Sequence, residues 1–192
     1  METNIPYLNE WLELSKSGQF DKAQEIYFEK LFEVVIEKFR SDNNHRIEHG
    51  GVLFSILGYS PEPIILTAKT IKPSAHFIFT SNTRNEGNNY LEKYLEGSYQ
   101  TVILEEESFD LIYSALKEQL ILNPSSNVTI DITGGKKSMV ASAAIFGKDY
   151  GCKIVYVDFQ EYLKELRKPR PGSEILNIVY DPIKNQPEII NA

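Results

Sequence analysis

Residues 127–139 read Asn-Val-Thr-Ile-Asp-Ile-Thr-Gly-Gly-Lys-Lys-Ser-Met and form the strongest local signal in the sequence. Its first half is a run of apolar and β-branched residues that is typical of a buried strand, and its second half begins a helical pattern after two adjacent glycines. A strand that passes through a glycine turn into a helix is the repeating unit of a mostly parallel sheet covered by helices. Ligands in such folds bind beyond the carboxyl ends of the strands, so the same turn is a candidate binding site.

The alternation of short β-rich runs and helical patterns extends outward from this stretch in both directions, from Gly50 onward. It predicts strands near 52–57, 75–80, 100–104, 127–132, 153–158 and 174–180, with helices near 61–71, 87–96, 107–122 and 136–150. Several of the strands are apolar almost throughout, as expected of strands buried on both faces. We therefore predict an α/β fold, a Rossmann-like, doubly wound and mostly parallel six-stranded sheet.

The residues before Gly50 have a different pattern. Apolar residues recur at three- and four-residue intervals in 6–17 and 21–41, which predicts an N-terminal helical hairpin. A single hairpin cannot bury its own apolar face, so it must pack on the main domain or on a partner. We predict a hairpin over residues 1–47 and a ligand-sensing domain over 48–192.

Composition and charge restrict the class of protein. The chain has 192 residues, of which 42% are hydrophobic, and its net charge is −7. Its longest apolar runs are strand-sized, which predicts no membrane span, and the acidic charge argues against long nucleic acid as a partner. A single cysteine and the lack of a secretory pattern at the N-terminus predict a cytoplasmic protein.

The turn after residue 132 has the chemistry of an anion site. Two glycines allow close approach of the backbone, and the free amides of the following helix carry a partial positive charge to which Lys136 and Lys137 add full charges. Thr133 and Ser138 add hydroxyl groups. The alternative is a plain strand-to-helix turn in which both lysines are solvated and Asp131 caps the helix. The turn is not a Walker A loop, since isoleucine stands at position 130 where the first glycine is required.

Three segments carry a resemblance to a known family. Asp131-Ile-Thr-Gly-Gly-Lys-Lys-Ser-Met139 resembles the Asp-x-Thr-Gly-Gly-Thr/Lys-Lys-x-Met signature of the CRISPR-associated Rossmann-fold (CARF) family. Ser55-Ile-Leu-Gly-Tyr-Ser-Pro-Glu-Pro63, with Lys72-Pro73 after the next helix, is similar to that family's other ligand-facing loop. Arg167-Lys-Pro-Arg-Pro-Gly-Ser-Glu174 resembles a turn before a late strand in some members. The resemblance covers residues 50–182.

This resemblance implies a homodimeric receptor for cyclic tetra- or hexa-adenylate, the second messenger of type III CRISPR systems, with no other cofactor and no metal. A ring with an even number of repeats has two-fold symmetry, so a two-fold dimer presents each loop to it twice. We expect the lysines and the helix amides to meet phosphates, and Tyr59 either to stack on an adenine or to pack against the protein. The predicted ligand-binding residues are Gly58, Tyr59, Ser60, Ser81, Asn82, Thr83, Arg84, Asp131, Thr133, Gly134, Gly135, Lys136, Lys137, Ser138, Met139, Arg167, Lys168 and Arg170.

Two functions remain open from the sequence. The chain is either a sensor that regulates a fused or separate effector, or a ring nuclease that cleaves the cyclic ligand without a metal. Lys136, Ser60 and Thr83 are the candidate catalytic residues for cleavage, although no histidine lies in the ligand loops to act as a base. Arg40 and His45 match the Arg-x4-His pattern of HEPN ribonucleases, but the hairpin is too short to form that helical domain.

Overall fold

A six-stranded sheet forms the centre of the larger part of the chain. The computed structural model describes residues 5–81, 88–106 and 108–184. The strands are β1 (Val52–Ile56), β2 (Ala75–Ser81), β3 (Gln100–Leu104), β4 (Val128–Asp131), β5 (Lys153–Phe159), β6 (Tyr162–Leu163), β7 (Lys168–Pro169) and β8 (Glu174–Tyr180). β6 and β7 pair with each other as an antiparallel hairpin, and the other strands form one sheet in the order β3-β2-β1-β4-β5-β8.

The direction of winding reverses between β1 and β4. β1 pairs in parallel with β2 on one side, where Val52 lies opposite Ala75, and with β4 on the other, where Val52 lies opposite Val128. The chain therefore winds outward through β2 to β3 and then returns to continue from β4 on the opposite side of β1. This arrangement confirms the predicted doubly wound, mostly parallel α/β fold and puts its switch point at the carboxyl ends of β1 and β4.

Four helices connect these strands and agree with the predicted positions to within two residues. They are α4 (Glu62–Ile71), α5 (Asn88–Leu95), α6 (Phe109–Leu122) and α7 (Lys137–Asp149). α6 and α7 contact each other and share a core with alternate residues of the sheet, such as Phe54 and Phe77, whose rings meet edge to face at 5.8 Å. All five residues of β1 are buried, which explains why its sequence is apolar except for Ser55.

Three helices precede β1 in the sequence and are separated by short connections. α1 (Leu8–Lys16) precedes α2 (Phe20–Ile26), which passes through a π-helical turn (Tyr27–Leu31) into α3 (Phe32–Asn43). The two predicted helices are present, and the π-helical turn is a feature that the periodicity did not predict. The Tyr27 ring occupies this turn, stacked on Phe32 with ring centroids 5.4 Å apart and edge-on to Phe28 at 5.0 Å.

The chain separates into two compact units. Among the described residues, 5–47 cluster with 158–175, and those of 48–157 cluster with 176–184. The division predicted from the sequence, 1–47 and 48–192, is kept as a proposal, to which the structure adds that the β6–β7 hairpin clusters with the N-terminal helices. Across the described ranges, no helix has both the length and the apolar character that a membrane span requires.

Candidate functional site

The loops that follow β1 and β4 touch at the switch point through their glycines. A Cβ atom added to Gly58 would lie 2.8 Å from the amide nitrogen of Gly135 and 3.1 Å from the Cα of Gly134. One added to Gly134 would lie 2.6 Å from the amide nitrogen of Gly58 and would also collide with the carbonyl oxygen of Ile56. The structure therefore brings two of the predicted ligand loops together, backbone against backbone, and only glycine fits at the contact.

This packing gives the glycine pair a role that the sequence analysis did not assign. Gly135 has a φ of +91°, the left-handed region that favours glycine, and an added Cβ would lie 2.5 Å from Cγ2 of Ile56. Gly134 is required for a different reason, since its φ is not positive and its neighbours are main-chain atoms. The glycines thus allow the two loops to pack on each other, in addition to any approach of a ligand.

Asp131 stabilises the turn after β4 from the protein interior. It is 1% exposed, and its Oδ1 accepts hydrogen bonds from the amide nitrogen of Thr133 at 2.9 Å and from the Thr133 hydroxyl. Burial raises the pKa of the Asp131 carboxyl, while the hydrogen bonds from Thr133 and the proximity of the Thr67 hydroxyl on α4 act in the opposite direction. Neither Oδ2 of Asp131 nor Oγ1 of Thr67 has a hydrogen-bond partner of ordinary geometry among the described residues. The Asp131 side chain therefore faces the protein interior.

The N-terminus of α7 opens directly after this turn. Lys136 stands at the N-cap position in an extended conformation, and no side chain of the described residues caps the helix. The first turn of α7 contains no acidic residue, and Lys136, Lys137 and Ser138 are exposed. Met139 is 1% exposed and belongs to the core, so its side chain supports the turn from inside. The alternative in which Asp131 caps α7 is not what the structure shows, because Asp131 bonds to Thr133.

The loop after β1 supplies an exposed aromatic ring beside the glycine contact. Gly58 is buried, whereas Tyr59 is 83% exposed and Ser60 is exposed. α4 begins shortly afterward, with Pro61 at its N-cap position. Of the two roles considered for Tyr59, this exposure favours contact with a ligand over packing in the core.

The remaining predicted residues are distributed as follows. Ser81 ends β2 and is buried, and Asn82, Thr83 and Arg84 lie outside the described residues. Arg167 and Lys168 are exposed in the β6–β7 hairpin of the smaller unit, where Arg167 has a φ of +52°. Arg170 is already engaged, because its guanidinium donates to both carboxylate oxygens of Glu161 at 3.1 Å.

Two supporting residues escaped the sequence analysis. The amide nitrogen of Val157 in β5 donates to the Thr133 hydroxyl at 2.8 Å, and Ile56 packs under Gly135. Both are ordinary apolar strand residues whose contribution depends on which strands are neighbours. No local pattern in the sequence marks them.

Other features of the described residues offer no competing site. A cavity of about 370 Å³ lies at the amino ends of β4 and β5, at the opposite end of the sheet from the glycine turn. Cys152 lines it, and burial raises the pKa of that thiol to about 11, so it stays protonated at neutral pH. No metal-holding group of three His, Cys, Asp or Glu residues occurs within the described ranges. Arg40 pairs with Glu37 at 3.1 Å on α3, and His45 lies in the exposed turn beyond that helix.

Comparison with known proteins gives one significant relative by sequence. No protein-family model matches the chain. The CRISPR system endoribonuclease Csm6 from Thermus thermophilus is 37% identical over 78 residues, a match that covers 38% of this chain and 17% of that protein.

Solved structures share the fold at low sequence identity. Can2 from Sulfobacillus thermosulfidooxidans, in complex with cyclic tetra-adenylate, superimposes with a TM-score of 0.51 at 18% identity, over 57% of this chain and 32% of that one. Protein VC1899 from Vibrio cholerae gives a TM-score of 0.50 at 15% identity, over 56% of this chain and 30% of that one. The matches therefore span a third or less of each of these proteins.

The fold and its paired glycine loops define a Rossmann-like α/β domain with a candidate ligand site at its switch point. The partial sequence match to Csm6 and the fold shared with Can2 both agree with the resemblance of residues 131–139 to the CARF signature.

Proposed function

We propose that the chain is a CARF-family domain that acts as a sensor for cyclic oligoadenylate. The observation that carries the proposal is the open N-terminus of α7, with Lys136 and Lys137 exposed beside the contact between the Gly58 loop and the Gly134–Gly135 turn. Helix amides and lysines together favour a phosphate over a neutral group. The fold shared with Can2, whose complex contains cyclic tetra-adenylate, supports a cyclic oligonucleotide as the source of that phosphate.

Each part of the ligand has a candidate partner at the site. The phosphates contact the first-turn amides of α7 and the two lysines, and the Gly58 loop forms the floor of the site, on which the ring rests. Tyr59, at 83% exposure, offers a face on which an adenine stacks. The side chains of Asp131 and Met139 are buried under the turn, so in this proposal they support it and do not contact the ligand. The sensor needs no other cofactor in this proposal.

The proposed assembly is a homodimer in which the ring lies on the two-fold axis. Each subunit then presents the same loops to opposite halves of one ring, so the symmetry of ligand and protein match. Binding regulates an output domain or a separate effector. The 78-residue match with Csm6, an endoribonuclease, supports an output of this kind, although it covers only 17% of that protein.

Cleavage of the ring is the second candidate function. Ser60 and Lys136 are both exposed on the two loops that touch, so a hydroxyl and a cation are available near the bound ring. In-line attack by a ribose 2′-hydroxyl requires correct positioning and a cation near the developing charge. Thr83, the third candidate catalytic residue, lies outside the described residues.

One experiment separates these functions. Purified protein is incubated with labelled cyclic tetra-adenylate and, in parallel, cyclic hexa-adenylate, and both affinity and product are measured. Tight binding with the ring intact supports the sensor, and linear products support the nuclease. A folded protein that binds neither ring contradicts the proposed function.

A further inference from the structure

The hydroxyl group of Thr133 is committed to the protein on two sides. It donates to Oδ1 of Asp131, and it accepts from the amide nitrogen of Val157 at 2.8 Å. A threonine hydroxyl has one hydrogen to donate, and here that hydrogen goes to a buried carboxylate. The group that looked like a ligand contact in the sequence therefore has no proton left for a phosphate oxygen.

The bond from Val157 explains where β4 ends. The parallel ladder between β4 and β5 runs from Thr129 opposite Lys153 to Asp131 opposite Val155, and Ile132 continues it by donating to the carbonyl oxygen of Val155 at 3.0 Å. In a regular ladder the amide of Val157 would next donate to the carbonyl oxygen of Ile132. It donates to the Thr133 side chain instead. The hydroxyl thus takes the place of a main-chain acceptor and allows the backbone to leave the sheet at that residue.

We propose that Thr133 is a positioning residue of the ligand site and not a ligand contact. Its two hydrogen bonds fix the backbone between the last ladder bond and Gly134, and so fix the direction in which the first amides of α7 point. This inference rests on the proposed function, because the affinity that it predicts is for the same anionic ring. It adds that the site depends on a bond to β5, a strand with no residue in the signature motif.

Two substitutions at one position separate positioning from direct contact. Thr133→Val keeps the shape of the side chain and removes the hydroxyl, whereas Thr133→Ser keeps the hydroxyl and removes only a methyl group. Three quantities are measured on the full chain: affinity for cyclic tetra-adenylate, hydrogen exchange of the Val157 amide without ligand, and the thermal midpoint. Lys137→Ala is the matched control, since Lys137 is exposed at the start of α7.

In Thr133→Val we expect affinity to fall about tenfold or more and hydrogen exchange of the Val157 amide to accelerate. Both effects have one cause, because loss of the hydroxyl removes the acceptor of the Val157 amide and with it the restraint on the turn. Thr133→Ser should stay within about threefold of the wild type in affinity and keep the amide protected. Lys137→Ala should lose affinity with no change at Val157.

Several results overturn the inference. Loss of affinity in Thr133→Val with Val157 still protected would show that the hydroxyl contacts the ligand directly, and accelerated exchange with affinity intact would show that the bond does not serve the site. If Thr133→Val does not fold, two other results would contradict the inference. One is rapid hydrogen exchange of the Val157 amide in the ligand-free wild type, and the other is a loss of about tenfold in the affinity of Thr133→Ser. Wild-type protein that binds no ring contradicts the proposed function itself, whereas a wild type that binds and a Thr133→Val variant that binds equally contradict only this inference.

Discussion

At the scale of single residues, the glycine turn shows why a motif does not reveal the task of each of its members. Asp131, Thr133 and Met139 all stand in the signature, yet their side chains are bonded or buried inside the domain. Lys136, Lys137 and Ser138 are the members that are exposed to solvent. The same motif thus combines groups that build the turn with groups that face solvent, where a ligand could reach them.

Replacing either exposed lysine should weaken ligand binding without unfolding the domain. In Lys136→Ala or Lys137→Ala we expect affinity for cyclic tetra-adenylate to fall by about 1.5–3 kcal/mol, the usual worth of a hydrogen bond to a charged group. The thermal midpoint should stay nearly unchanged because both side chains are exposed. Titration calorimetry and a thermal melt measure the two effects, and unchanged affinity in both variants would put the ligand elsewhere.

Replacing Gly58 should destabilise the domain through steric overlap alone. Gly58→Ala puts a Cβ 2.8 Å from the Gly135 amide nitrogen, and main-chain atoms on both sides leave little room to relax, so we expect a loss of about 1–3 kcal/mol in unfolding free energy. Gly151→Ala is the comparison variant, since Gly151 has a φ of +64° and open space around it. It measures the cost of a left-handed conformation without steric overlap, about 1–2 kcal/mol, a cost that does not arise at Gly58 because its φ is not positive. A denaturant titration in which Gly58→Ala is as stable as the wild type would show that the loops do not touch.

At the scale of helices and strands, the elements were predictable because each has a strong local pattern. The apolar run of β1 and the periodicity of α4 and α7 gave their positions directly. The contacts between elements were harder to predict, since the hydrogen bond from Val157 to Thr133 and the ion pair between Lys153 and Asp181 join residues 24 and 28 positions apart. The β6–β7 hairpin was also missed, because two-residue strands are too short to show alternation.

The contact between the start of β5 and the end of β8 is testable at this scale. Asp181 is 3% exposed and lies 3.5 Å from the Lys153 ammonium, while its Oδ1 also accepts from the amide nitrogen of Ile183 at 3.0 Å. Asp181→Asn keeps an acceptor for that amide and removes the charge, whereas Asp181→Ala removes both. We expect Asp181→Ala to lose about 1–3 kcal/mol in unfolding free energy and Asp181→Asn to lose less. Equal losses would mean that only the ion pair matters.

At the scale of the whole molecule, the buried sheet determines which polar groups are charged and which loops lie together. Burial on both faces leaves histidine neutral in the interior, where the Nε2 atom of His76 lies 3.0 Å from the Ser55 hydroxyl. Because β1 and β4 are parallel neighbours, the loops that carry Gly58 and Gly134 lie at the same edge of the sheet. This proximity was predictable, since the carboxyl ends of parallel strands meet at one edge, but the backbone contact between the two loops was not.

The buried His76 should make the stability of the protein depend on pH. Burial lowers the pKa of His76 from 6.5 to about 4, so between these values the unfolded chain binds a proton that the folded chain does not. The unfolding free energy should therefore fall as the pH drops through this window, by about 3 kcal/mol in total from this group. Urea titrations at a series of pH values measure the slope, and the variant His76→Gln should flatten it. A slope identical in both proteins would contradict the assignment.

The most direct test of the ligand site is hydrogen exchange of the backbone amides with and without cyclic tetra-adenylate. If an anionic ring is held where β4 turns into α7, the amides of residues 134–139 should gain protection on binding, while those lining the cavity at the amino ends of β4 and β5 stay unchanged. Binding that leaves residues 134–139 unaltered would contradict the account.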